Sequence, residues 1–297
     1  MTTSETTVAV TPPVAEPPGR AAGWAPGWMR RHNLQLWIGG LMLGLLVIAA
    51  VFAPLITQHS PTEPDALHAL LGPSGSHWFG TDNLGRDVFS RVVYGARSDL
   101  TIAVVAVIAP FLIGVVFGIV SGYFGGWVDT IMMRLADIVT AFPFFILVIA
   151  LVFVLGNGAW SIFVAITCVS WVAYARLVRG EAMVLRNKEF VSACEAGGIS
   201  TTRILWRHIA PNVATQAIVY AMSDIVMNVG VIVTLSYFGL GIVPPTPDWG
   251  SMMSDGQQFL AGGYYGVTLF PAGAVIWTSL ALSFIGDGLA HALRVER

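Results

Sequence analysis

The residues of this chain best suited to chemistry lie in two polar islands set among long apolar runs. The first spans 181–212. With Arg176 and Arg179 just before it, this island gathers six of the fifteen basic residues, carries a central Gly197-Gly198 pair and closes on His208-Ile209-Ala210-Pro211-Asn212. The second, 80–99, mixes Asp82, Arg86, Asp87, Arg91 and Arg97 with Gly80 and Gly85. Neither island spells a reaction. The six histidines have no metal-ligand spacing, so no metal site is expected, and no G-x-x-x-x-G-K phosphate loop is present. What the islands offer is recognition, as charged and turn-rich surfaces for other proteins. The chain is therefore expected to be neither an enzyme nor the holder of a cofactor.

The elements that position these islands follow from composition. Of 297 residues, 55% are hydrophobic and 11% charged, and mean hydropathy is +0.72. That is the balance of an integral membrane protein. A hydrocarbon core of roughly 30 Å takes about 20 apolar residues per helix, and turn residues and charges delimit six such spans, at 35–56, 100–122, 135–155, 161–177, 214–238 and 266–285. The predicted fold is all-α with both termini on one side.

Basic residues resist translocation far more than acidic ones. With both termini cytoplasmic, twelve of the fifteen lie inside, and only Arg86, Arg91 and Arg97 lie outside. This places 57–99 as a long external loop and 180–213 as a cytoplasmic loop of a cytoplasmic-membrane protein. Ser, His and acidic groups then fall on opposite membrane faces, which removes a nucleophilic triad between them. A net charge of −2 and the absence of a further basic face argue against nucleic acid.

Residues 1–33, rich in Thr, Ala and Pro, lack the layout of a cleaved leader and read as a disordered cytoplasmic tail, with 34–297 as the transmembrane domain. In the second half of the external loop, Asp82 or Asn83 is placed to cap an amphipathic helix lying on the outer membrane surface. Gly114, Gly118 and Gly122 line one face of the second span and predict close approach of another helix, from this chain or a second subunit. Pro143 and Pro271 predict kinks. Cys168 and Cys194 read as packing residues, not a disulfide pair.

Intramembrane acids are few, Asp137 near one end of its span and Asp224 deeper. An ion-coupled secondary transporter, the alternative from a different class, needs more such groups and a repeated half. Neither is seen. The energy source is therefore expected outside the chain. The segment 189–200 is its candidate entry point: Phe190, Val191 and Cys194 share one side of two helical turns that Gly197-Gly198 ends. A second short helix, 201–209, is expected to close at Pro211, giving a two-helix knob.

This loop resembles the EAA motif of ATP-binding-cassette importer permeases. Ser192, Ala193 and Cys194 stand at the Glu-Ala-Ala, Gly198 at the glycine, His208 at the Ile, and Ala210-Pro211 at the Leu-Pro. The leading Glu is replaced by Ser192. A longer match covers about 30–297: the run from His77 to Arg91, Tyr94-Gly95-Ala96-Arg97, Arg207 to Asn212, Phe238 to Gly250 and Gly286-Asp287-Gly288-Leu289 are similar to the signatures of C-type permease subunits of dipeptide, oligopeptide and nickel importers.

The resemblance implies a type I importer permease with six spans, paired with a B-type permease. It also implies two cytoplasmic ATPase subunits that use ATP and Mg, and an external substrate-binding protein. Peptides are the expected solute, with nickel or another small solute as the alternative. Phe190, Val191, Ser192, Ala193, Cys194, Gly198, His208 and Pro211 become the ATPase-coupling residues. Gly80, Asp82, Gly85, Arg86, Asp87, Arg97, Pro245, Asp248 and Trp249 become candidates for gating or binding-protein contact, or for bracing the loops.

Overall fold

The computed structural model describes residues 27–295, with side chains described over 34–293. In hydrocarbon every backbone N–H and C=O must be satisfied within the chain, and the described residues form eleven α-helices and a single isolated β-bridge, between Thr81 and Asp87. Five helical stretches are long and apolar enough to cross a membrane, and a bent pair makes a sixth. Of the six expected spans, five are matched by single helical stretches, and the third is matched only if the bent pair counts as one span.

Helix α1 (Gly27–Val51) reaches back into the segment read as a tail, of which residues 1–26 lie outside the described residues. Only 11% of its apolar window is buried, and Trp37, Leu41 and Ile48 are exposed, so the described residues of this chain do not cover that side. Its other side meets the last helix, where a Cβ on Gly39 would lie 2.7 Å from the Ala281 carbonyl oxygen. The short α2 (Ala53–Ile56) ends this arm.

Helix α3 (Val88–Phe124) has 37 residues, about 55 Å at 1.5 Å per residue. It replaces the separate surface helix expected within 80–99. The helix starts after Asp87, not Asp82 or Asn83, because Asp87 Oδ2 accepts the Ser90 N–H at 2.7 Å, as an N-cap does. It then runs unbroken through Asp99 into the span. Val88, Val92 and Val93 are buried in protein, so its apolar face is a core face and not a lipid-facing one.

The glycine row finds its neighbour within this chain. A Cβ on Gly118 would lie 2.7 Å from both the Ala175 carbonyl oxygen and the Val178 side chain, and one on Gly122 2.6 Å from the Arg179 carbonyl oxygen. Those residues belong to helix α6 (Ala159–Arg186). The two backbones approach more closely than any side chain would permit.

The expected third span is two helices, α4 (Gly126–Thr140) and α5 (Phe144–Leu155), bent by 81°. Pro143 has no N–H to continue the ladder, and a residue before proline avoids helical geometry. At 12 residues, α5 is about 18 Å long and cannot cross roughly 30 Å of hydrocarbon alone. Helix α6 (Ala159–Arg186) continues past its expected end at 177.

After α7 (Glu189–Ala196), the chain corrects a second expectation. The helix read as 201–209 does not close at Pro211. Instead α8 (Thr201–Ile204), a π-helical turn (Leu205–Ile209) and α9 (Ala210–Tyr237) form one continuous helical path. Proline removes one donor. The wider turn absorbs its ring, with the Ala210 N–H donating five residues back to Leu205, and Asn212 Nδ2 donates to the His208 carbonyl at 2.6 Å. Helices α10 (Trp249–Gln257) and α11 (Gly266–Val295), with Pro271 inside the latter, complete the chain.

Two cores result. The larger joins the first part of α3 to α6, α9, α10 and α11, around Val88, Ile166, Ile232 and Trp249. The smaller joins the far end of α3 to α6, α7 and the start of the long path, around Ile119, Val178, Val191 and Ile209. The two polar islands therefore stand at opposite ends of α3.

Candidate functional site

At one end, α7 forms a knob rooted on the smaller core. Its eight residues carry Glu189 in the first turn, where a negative charge suits the helix dipole. The knob ends in a Schellman turn: the Ile199 N–H donates to the Cys194 carbonyl at 3.1 Å and the Gly198 N–H to the Glu195 carbonyl at 3.0 Å, with Gly198 at φ +72°. Only glycine takes that conformation freely. No heavy atom lies within 4 Å of a Cβ built there, so the constraint is backbone geometry, not space.

Val191 is 1% exposed and packs among Ile204, Leu205 and Ile209. Tyr123, at the end of α3, donates its hydroxyl to Glu195 Oε1 at 2.9 Å, and the Arg186 guanidinium lies 5.7 Å from the Tyr123 ring centre. Phe190, Ser192, Ala193, Gly198 and Pro211 are exposed, while Cys194 and His208 are half-buried. Phe190 and the His208 ring stand 6.5 Å apart, centre to centre. Trp206, on the π-helical turn, is also exposed, as are the charged Lys188, Glu189, Arg203 and Arg207.

At the other end the candidates are mostly interior. Arg86 Nε donates to Asp82 Oδ2 at 2.7 Å, Arg91 Nε lies 3.4 Å from the same oxygen, and Arg86 reaches Asp255 at 3.8 Å. Burial raises the Asp255 carboxyl above its ordinary value, against the smaller opposing pull of Arg86 and Arg91. Gly80 (φ +78°) and Gly85 (φ +76°) pass so close to the Leu71 and Asp65 carbonyl oxygens that no side chain fits. Asp248 caps α10 through the Ser251 N–H at 2.9 Å. Trp249 is fully buried, its backbone N–H donating to Asp99 Oδ2 and its indole N–H to the Val92 carbonyl, each at 3.0 Å. Asp82, Arg86, Asp87, Asp248 and Trp249 thus shape this end from within. Arg97 and Pro245 are the exposed members of the set.

The loop before α3 also assembles a cluster that linear spacing did not show. His59, His77 and Asp87 offer ligand atoms within 4.8 Å of one another. Both Asp87 oxygens are already engaged, one by the His77 ring at 3.0 Å and the other by Ser90, so His77, Asp87 and Ser90 form a hydrogen-bonded brace, against which the His59 ring packs 4.5 Å from that of His77. Nearby, the hydrogen bond from His68 holds the Asp65 carboxyl below its ordinary value.

Between the two ends, where α4 bends into α5, lies a cavity of about 460 Å³ walled by α6 and α9. Tyr220, Asp224 and Asn228 face it from α9, and Arg176 from α6. Tyr174 donates its hydroxyl to Asp224 Oδ2 at 2.8 Å, and Arg176 Nη2 donates to Asp137 Oδ1 and Thr140 Oγ1, each at 3.0 Å. Arg179 grips Asp129 through two bonds at 2.5 and 2.6 Å. The basic residues at this end of α6 are therefore partnered. Of the α9 row, only Asp224 is conspicuous in the sequence. The available signal for the others was the four-residue period of Tyr220, Asp224 and Asn228 on one face of an apolar helix.

The family described as "Binding-protein-dependent transport system inner membrane component" matches residues 114–295, and that described as "N-terminal TM domain of oligopeptide transport permease C" matches residues 30–73. The chain is 40% identical over 272 residues to the oligopeptide transport system permease protein OppC of Bacillus subtilis, covering 91% of this chain and 88% of the relative. It is 38% identical to the dipeptide transport system permease protein DppC of Alkalihalophilus pseudofirmus, over 89% of this chain and 86% of the relative. A glutathione transport system permease protein, GsiD of Pectobacterium atrosepticum, is 35% identical over 91% of this chain and 90% of its own length.

Proposed function

The chain belongs to the family of binding-protein-dependent transport system inner membrane components, and from that premise we propose that it is one of two permease subunits of an ATP-driven peptide importer. Separate ATPase subunits, using ATP and Mg, supply the energy at the α7 end, which faces the cytoplasm with both termini. A substrate-binding protein delivers solute at the Trp249 end, on the outside. Peptide is the solute class because the relatives are named for oligopeptides, dipeptides and glutathione, itself a tripeptide.

One observation carries the coupling role. The knob is joined to a continuous 37-residue helical path from Thr201 to Tyr237, which carries the cavity-facing row of α9. Exposed Phe190, Ser192 and Ala193 present a surface to a partner, while buried Val191 fixes that surface to the rod. Closure of the ATPases would displace α7, and the rod would carry the displacement toward the membrane centre. This is a rigid-body switch, with no chemistry on the permease.

Glu195 is held by the Tyr123 hydroxyl and Ser192 stands in the motif's Glu position, so docking here relies on apolar contact more than on a carboxylate at the start of the motif. The test is Gly198→Glu. A side chain forced to φ +72° costs about 1–2 kcal/mol, turning the knob without entering the core. Purified with its partner subunits in liposomes, the variant is expected to assemble but to lose at least tenfold in ATP hydrolysis stimulated by the binding protein. Full stimulation would overturn the coupling role.

A further inference from the structure

Asn228 is 1% exposed, and among the described residues neither its side-chain oxygen nor its nitrogen has a partner. A buried amide left unsatisfied is costly, and this one lines the cavity at the α4–α5 bend. Its chemistry is specific, since a carboxamide offers a donor and an acceptor in one plane and so complements the N–H and C=O of a peptide group. Tyr220, Asp224 and Asn228 lie one turn apart on the same face of α9. From first to last they span about 12 Å, the length of three to four extended residues.

Charges of both signs flank the row. Asp224 has one oxygen bonded to Tyr174 and the other available to an ammonium group. Arg176 is steadied by Asp137 and Thr140 through a single terminal nitrogen, which leaves further guanidinium donors for a carboxylate. The remaining wall is largely apolar and includes Met227, whose flexible side chain adapts to varied shapes. The site is therefore built to read a main chain and its ends while tolerating different side chains.

We propose that this cavity is a transient binding station for peptides crossing the membrane, with Asn228 bonding a main-chain amide and Asp224 and Arg176 meeting terminal charges. The inference rests on the peptide-importer reading given above. Its test uses the complete transporter in liposomes with its binding protein and labelled tri-alanine. Asn228→Leu is expected to raise the KM for uptake about tenfold while the subunits still copurify. In an otherwise native chain, p-benzoylphenylalanine in place of Met227 is expected to crosslink to tri-alanine during turnover. That crosslink decides the matter if Asn228→Leu does not assemble. An unchanged KM, or a crosslink only to the second permease subunit, would overturn the station while leaving the importer reading intact. Failure of the unaltered transporter to take up any alanine peptide of two to five residues would sink the importer reading and the station together.

Discussion

Trp249 shows how burial decides what a residue type leaves open. Its sequence context allowed either a docking contact or a brace. The structure buries it completely between Asp99, Val92 and Gly95, where a Cβ on Gly95 would meet the indole at 3.1 Å. Trp249→Ala is expected to lower stability by about 3–5 kcal/mol, read as an earlier thermal midpoint for the detergent-purified protein. Trp249→Phe keeps most of the packing and loses the indole hydrogen bond, at about 1 kcal/mol. Equal midpoints for Trp249→Ala and the unaltered chain would show that the site braces nothing. Asn228 was missed for the complementary reason. A lone Asn in an apolar helix has many ordinary partners, and only coordinates reveal that it has none among the described residues.

Among elements, the glycine row of α3 was legible and its partner was not. Spacing by four residues puts Gly114, Gly118 and Gly122 on one face, but the residues that fill the gap, Ala175 and Val178 on α6, are some sixty positions away. Gly118→Ala is expected to cost about 1–3 kcal/mol by overpacking, and Gly118→Leu to abolish recovery of folded protein from the membrane. Recovery of Gly118→Leu at the level of the unaltered chain would mean that α3 and α6 separate without harm. The two prolines behave differently. The kink that Pro143 predicts is present, as a bend of 81°, whereas Pro211 does not stop its helix, because a π-helical turn carries the helix past it. The difference lies in the neighbours: at 205–213 buried Leu205, Ile209 and Val213 hold the rod together, whereas Phe142 beside Pro143 is exposed to the cavity.

For the whole molecule, the two polar islands sit at opposite ends of a helix about 55 Å long, so one should be reachable from each side of the membrane. With Cys168 and Cys194 replaced by Ala, Leu67→Cys is expected to react with an impermeant maleimide added to intact cells, and Ser192→Cys only after the membrane is opened. Labelling of Ser192→Cys in intact cells would reverse the proposed orientation. The sequence by itself determined the membrane class, the all-α fold and the family, because hydropathy and contiguous motifs are local properties that survive without coordinates. Only the tertiary structure decided that α3 begins at Val88 and runs unbroken, that α8 and α9 form one rod on which the knob is seated, that most of the candidate residues of the outer end are interior, and that a cavity lined by an amide unpartnered among the described residues lies at the bend. Each depends on which distant side chains meet, and burial and hydrogen-bond satisfaction are set by the packing of several helices at once.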